Sequence, residues 1–201
     1  MASKVVPTKG NLIAIKHSLA LATNGYDLLD RKRNVLIKEM MQLTSKVKIL
    51  RDDLASKYQE AYRLLQIANI SLGVIMDIAN SVSIEDTVKI TYRSIMGVEI
   101  PQVTIDNSNL KMEYGFEYTN TRLDEAYLAF VEVKQYTVIL AEIDNSVYRL
   151  ANAIRKTQKR ANALKNVVIP NMKNDIKFIS DSLEEKEREE FTRLKVLKNQ
   201  K

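Results

Sequence analysis

The chain has 201 residues, of which 45% are apolar and 28% charged, with 5 Gly, 3 Pro, one His and no Cys. That composition excludes a disordered or membrane-spanning chain, and the missing Cys and single His exclude disulfides, thiolate metal sites and a multi-histidine metal centre. So few helix breakers point to long helices, and the net charge of +6 is a weak bias towards acidic partners.

The first segment, about Asn11 to Asn80, carries Leu12, Ile15, Leu19, Ala22, Tyr26, Leu29, Arg33, Leu36, Met40, Leu43, Val47, Leu50 and Leu54 at alternating steps of three and four. This 3.5-residue period over six heptads predicts a coiled-coil helix, roughly 100 Å long at about 1.5 Å per residue. Arg33 alone breaks the apolar seam; it either sets register or snorkels outward with its stem packed. After Leu54 the register loosens, because Lys57 is polar and Tyr58 takes its place.

From about Ser81 to Tyr118 the period changes to two: Val88, Ile90 and Tyr92 alternate with Lys89, Thr91 and Arg93, and Val98 with Ile100 and Val103 with Ile105 follow. Gly97 and Pro101 punctuate the run. A short β-hairpin or small β head is predicted, with the Pro101 strand at an edge because proline cannot donate to a ladder.

The third segment, about Asn120 to Lys198, regains a helical stripe through Leu123, Tyr127, Phe130, Ile143, Val147, Leu150, Ile154, Ala161, Leu164, Val168, Met172, Ile176, Ile179, Leu183, Phe191 and Leu194. Its phase shifts near Pro170, where a kink is expected. The expected fold is mainly α: a long antiparallel two-helix coiled coil of residues 1–80 and 119–201 around a β head at 81–118, one elongated domain. If residue 80 lies beside 117, paired numbers sum to about 197, which places Leu12 near Glu185 and Arg33 near Leu164.

No phosphate-cradling G-x-x-x-x-G-K-[ST] or G-x-G-x-x-G is present. The acidic pairs Asp52-Asp53 and Glu184-Glu185 are adjacent on predicted helices, so each pair splits between faces. No catalytic, cofactor-binding or metal-binding residue is assigned. The charged run after Leu183 offers Glu184 with Arg188 and Glu189 with Arg193 as i,i+4 pairs. An antiparallel closure gathers Lys4, Lys9, Arg188, Arg193, Lys195, Lys198 and Lys201 at one tip. Two readings stand for this basic tip: local complementing of the helix dipole, or a contact with acidic partner loops.

Three stretches carry a family resemblance: Pro7-Thr8-Lys9 with Gly25-Tyr26-Asp27-Leu28-Leu29-Asp30-Arg31-Lys32-Arg33; Met96-Gly97-Val98-Glu99-Ile100-Pro101; and Arg160-Ala161-Asn162-Ala163-Leu164 through Val168-Ile169-Pro170 to the Leu183–Lys195 run. The chain resembles the D subunits of V-type and archaeal-type rotary ATPases over nearly its whole length. The resemblance implies a non-catalytic central rotor shaft without a cofactor. Its terminal end enters the ring of catalytic A and B subunits, a small F subunit binds its side, and a funnel-shaped subunit links it to the membrane rotor ring. The implied location is the cytoplasmic face of the membrane, with proton or sodium transport as the coupled process. An unrelated coiled-coil adaptor is the alternative. Nucleic acid is not an expected partner, since 25 acidic residues interrupt any continuous basic stripe.

Overall fold

A computed structural model describes residues 5–82, 87–105, 114, 115, 117 and 119–199. The elements are α1 (Lys9–Leu72), α2 (Met76–Ser81), β1 (Lys89–Ile95), β2 (Val98–Thr104), α3 (Thr121–Ala163), a π-helical turn (Leu164–Val168) and α4 (Ile169–Asn199). They fall into two compact units: Met1–Asn34 with Ile154–Lys201, and Val35–Ala153.

In the first unit the start of α1 runs antiparallel to the end of α3, the π turn and α4. Thr8 caps α1 by accepting the Asn11 backbone N–H on Oγ1 at 3.2 Å. Leu12, Ile15, Leu19, Ala22, Tyr26 and Leu29 are all partly covered, whereas most residues between them are exposed, so the predicted seam faces the partner helix. Ala161 and Ile179 are buried opposite. Lys9 meets Glu187 and Lys165 lies over the Tyr26 ring at 5.8 Å. The paired numbers sum to 196 at the Lys9 end and 191 at Tyr26, against the expected 197.

In the second unit α1 and α3 are again antiparallel. Leu54, Ala61 and Val133 form a buried cluster with Tyr58, Ala129, Phe130, Tyr136 and Leu140 against it. The loosened register at Lys57 is resolved by snorkelling: its ammonium reaches Glu132 at 2.6 Å and lies 5.4 Å from the Tyr136 ring centre. Bonded to that carboxylate, the Lys57 pKa is raised. Alanines at 61 and 68 are fully buried, which lets the helices approach closely.

The predicted first helical segment is divided. It stops at Leu72, because Gly73 takes φ +78° and donates its N–H to the Asn69 carbonyl at 2.9 Å, a left-handed helix end. The short α2 follows. Ile75 and Ile78, with Leu72 and Val82, then close over Ala68, Tyr114 and Leu123. Asn120 ties this end together: its Oδ1 accepts the Leu123 N–H that opens α3, and its Nδ2 donates to Ser71 Oγ. Tyr114 donates to Asp124 Oδ1 at 2.7 Å. Burial, then that bond to a carboxylate, pushes the Tyr114 phenol well above the ordinary tyrosine range.

β1 and β2 form one antiparallel hairpin, paired from Lys89 with Thr104 to Ile95 with Val98. The separate Val98–Ile100 and Val103–Ile105 alternations prove to be a single strand that runs through Pro101 and ends at Thr104. Among the described residues no helix is long and apolar enough to cross a membrane.

Candidate functional site

Apart from Pro170, the sequence-selected residues occupy three places. The first is the end of the first unit that carries both termini. Lys9 Nζ lies 2.9 Å from Glu187 Oε1, with both side chains exposed. The hydrogen bond to Glu187, then that residue's negative charge, raises the Lys9 pKa. Glu184 with Arg188 and Glu189 with Arg193 sit at 3.9 and 3.8 Å, at the outer limit of ion pairing; such exposed pairs contribute little. Lys195 is exposed on the last turns of α4. Lys4 and Lys201 lie outside the described residues.

This end has a property the seam pattern did not give. From Glu184 to Asn199 every residue of α4 is exposed. Phe191, Leu194, Val196 and Leu197 stand 70%, 65%, 51% and 62% open to solvent. Phe191 and Leu194 continue the heptad stripe, but α1 begins at Lys9, opposite Glu187, so among the described residues no helix lies across from them. The apolar periodicity was legible; the end of the partner helix would have been visible from the Pro7-Thr8 start signal set against the pairing sum.

The second place is the seam layer at Arg33. Its guanidinium is mostly covered and lies 2.6 Å from Asp30 Oδ1. It also donates to Gln158 Oε1 across the helix pair at 2.9 Å and to Asn34 Oδ1 at 3.1 Å. Gln158 in turn donates to Asn162 Oδ1 at 2.8 Å. The partner in register is Gln158 rather than the expected Leu164. Arg33 is therefore tied across the pair by a satisfied polar layer instead of pointing away from it.

Pro170 lies in the first turn of α4, directly after the π turn. The Ile169 N–H reaches back five residues to the Leu164 carbonyl. Proline has no N–H and its ring crowds the carbonyl four residues earlier. A wider turn just before it takes in one extra residue, which is the phase shift seen in the stripe: Leu164, Val168, Met172 and Ile176 follow at successive steps of four.

The third place is the hairpin. Met96 and Gly97 form its two-residue loop with φ of 51° and 75°, the positive values that a type I′ turn requires at both positions. Gly97 meets this freely, whereas Met96 adopts a conformation that L-residues avoid. Pro101 is buried and pairs with Tyr92. Neighbouring backbone groups of β2 are taken by α3: the Val103 N–H donates to Glu142 Oε2 at 2.7 Å, and Arg149 Nη1 donates to the Glu99 carbonyl at 3.3 Å. Arg149 also lies over the Tyr92 ring at 5.4 Å.

Among the described residues no group of three or more His, Asp or Glu is placed to hold a metal ion. What these places offer are surfaces: an exposed apolar helix end, a polar layer between helices, and a hairpin fixed to a helix along one edge.

Comparison with known proteins places the chain. The family of ATP synthase D subunits matches residues 11–199. The V-type ATP synthase D subunit of Thermotoga neapolitana is 46% identical over 196 residues, covering 96% of this chain and 97% of that one. The A-type ATP synthase D subunit of Methanosphaera stadtmanae is 38% identical, covering 96% and 92%, and that of Pyrococcus furiosus 36% identical, covering 97% and 94%. With a match over nearly its full length, the chain belongs to the family of ATP synthase D subunits.

Proposed function

We propose that the chain is the central rotor stalk of a V-type or archaeal-type ATPase, transmitting torque between the catalytic ring and ion transport in the membrane. It makes and breaks no bonds itself. The observation that carries this reading is the family match across residues 11–199. The antiparallel helix pairing within each unit suits a part that must resist twisting, since a packed seam is stiffer than one helix.

The end of α4 beyond Glu187 enters the ring of A and B subunits, whose walls supply the missing cover for Phe191 and Leu194. Lys9, Arg188, Arg193, Lys195 and Lys4 contact acidic loops there. The Arg33 layer holds the helix register under load, and the π turn before Pro170 gives the inserted part its bend. A small F subunit binds at the side, and a funnel-shaped subunit joins the stalk to the membrane ring at the cytoplasmic face. Transport is of protons or sodium ions.

The test is purification of the tagged chain from gently solubilised native membranes, with an ATPase assay. The reading predicts co-recovery of two large ATPase subunits, each in excess over the chain, with a small side subunit. Recovery alone, or with unrelated partners and no ATPase activity, favours a coiled-coil adaptor instead.

A further inference from the structure

The two edges of the hairpin are treated differently. Ile95 and Val98 close a two-residue loop, so they form a hydrogen-bonded pair, and bonded and non-bonded pairs alternate from there. The N–H and C=O groups of Glu99, Pro101 and Val103 on β2, and of Ser94, Tyr92 and Ile90 on β1, therefore point outward. On β2 each outward residue has one of its backbone groups dealt with: Arg149 takes the Glu99 carbonyl, Glu142 takes the Val103 N–H, and Pro101 has no N–H to offer. Two side chains of α3 and one proline occupy the place of a neighbouring strand. On β1 no described residue does so: among the described residues no bond is made by the outward amides of Ile90, Tyr92 and Ser94, and β1 is exposed from Lys89 to Ser94.

An open edge is normally a hazard that proteins blunt. Here the charges indicate what is refused and what is admitted. Lys89, Thr91, Arg93 and Ile95 share one face of β1. Their cross-strand neighbours are Thr104, Gln102, Ile100 and Val98, so that face of the hairpin holds two cations and no carboxylate. Neither Lys89 nor Arg93 makes an ion pair within the described residues. A second copy of β1 would gather four cations on one face, whereas an acidic segment would neutralise both Lys89 and Arg93.

We infer that the outer edge of β1 is a strand-addition site for an extended, acidic segment of another subunit of the assembly. Main-chain bonds to Ile90, Tyr92 and Ser94 supply the pairing. Carboxylates four residues apart on the segment meet Lys89 and Arg93, which are themselves about 13 Å apart along the strand. The inference needs only that the chain works within a multi-subunit complex, not that it carries torque.

Residue-resolved hydrogen exchange on the isolated chain and on the purified ATPase complex tests it. The amides of Ile90, Tyr92 and Ser94 should slow by roughly tenfold or more on assembly, while the inward amides of Thr91, Arg93 and Ile95 are slow in both. Carbodiimide treatment of the complex, which joins an amine to a touching carboxylate, should couple Lys89 to an acidic residue of another subunit. Ser94→Pro removes an outward N–H without touching the β1–β2 ladder and should abolish both effects. The Lys89→Glu/Arg93→Glu double variant, which leaves every backbone group in place, should abolish the protection. Outward amides that exchange equally fast in both states overturn the inference, as does coupling of Lys89 to a second copy of this chain, or protection unchanged by the charge reversals.

Discussion

The two halves of α4 share one helix and one apolar rhythm but have opposite surroundings. Up to Leu183 its stripe of Met172, Ile176 and Ile179 is covered by α1, with Ile179 fully buried. Past Glu187 the same stripe continues as Phe191 and Leu194 in the open. A heptad pattern records that a helix face is to be covered. Whether the cover comes from the same chain or from another is decided elsewhere, here by where α1 starts.

Substitutions should act differently on the two halves. Ile179→Ala should have the largest effect, destabilising the first unit by about 2–5 kcal/mol through lost burial and a residual cavity, read by urea unfolding. Arg33→Met keeps an apolar stem in the seam but leaves Asp30 and Gln158 without their cation, and should cost about 1 kcal/mol in the same assay. A similar cost, about 1 kcal/mol, is expected for Tyr114→Phe, which removes the bond to Asp124. That change also has a pH signature. The folded-state pKa of Tyr114 is raised, so its contribution is complete below the unfolded value of about 10 and is lost as pH climbs above it. Stability of the parent chain should therefore fall above about pH 10, and Tyr114→Phe should flatten that limb; an equally steep limb in the variant assigns the loss to other groups.

Effects on the isolated chain should be smaller still at the bare end. Phe191→Ala with Leu194→Ala should shift unfolding by less than about 0.5 kcal/mol, yet lower the yield of chain recovered in the ATPase complex. A large loss of intrinsic stability would mean that these side chains are packed within the chain after all. Pro170→Ala should change stability least, because the proline sits in the first turn of α4 after a turn already adapted to it. Its expected effect is on coupled ion transport, and unchanged coupling in that variant sinks the proposed role of the bend.

Much of the fold was legible because its signals are periodic. Thirteen seam positions from Leu12 to Leu54 were readable from spacing, and all are covered to some degree. Alternation from Lys89 to Thr104 disclosed the hairpin, and the missing N–H of Pro101 disclosed an edge. What escaped was aperiodic. Gly73 ends α1 through a single backbone angle, and the period resumes across it at Ile75. A π turn leaves in the sequence only a one-residue slip near Pro170. The hairpin loop escaped because Met96 stands where asparagine usually signals positive φ. Asp30, three residues before Arg33, was within reach of a sequence reading as its ion-pair partner; the bond across the pair to Gln158, and the Gln158 bond to Asn162, were not, because those residues are distant in sequence. The covering of β2 by Glu142 and Arg149, and with it the openness of β1, depends on tertiary placement that no local pattern carries.

The proposed function requires that this chain turn relative to the catalytic ring. The chain has no cysteine, so Gln66→Cys, on an exposed position of α1 in the second unit, gives a unique attachment point for a bead. With the ring of A and B subunits immobilised and ATP supplied, the bead should rotate stepwise in one direction and stop when ATP is withdrawn. A bead that stays fixed while the same complexes hydrolyse ATP would contradict it.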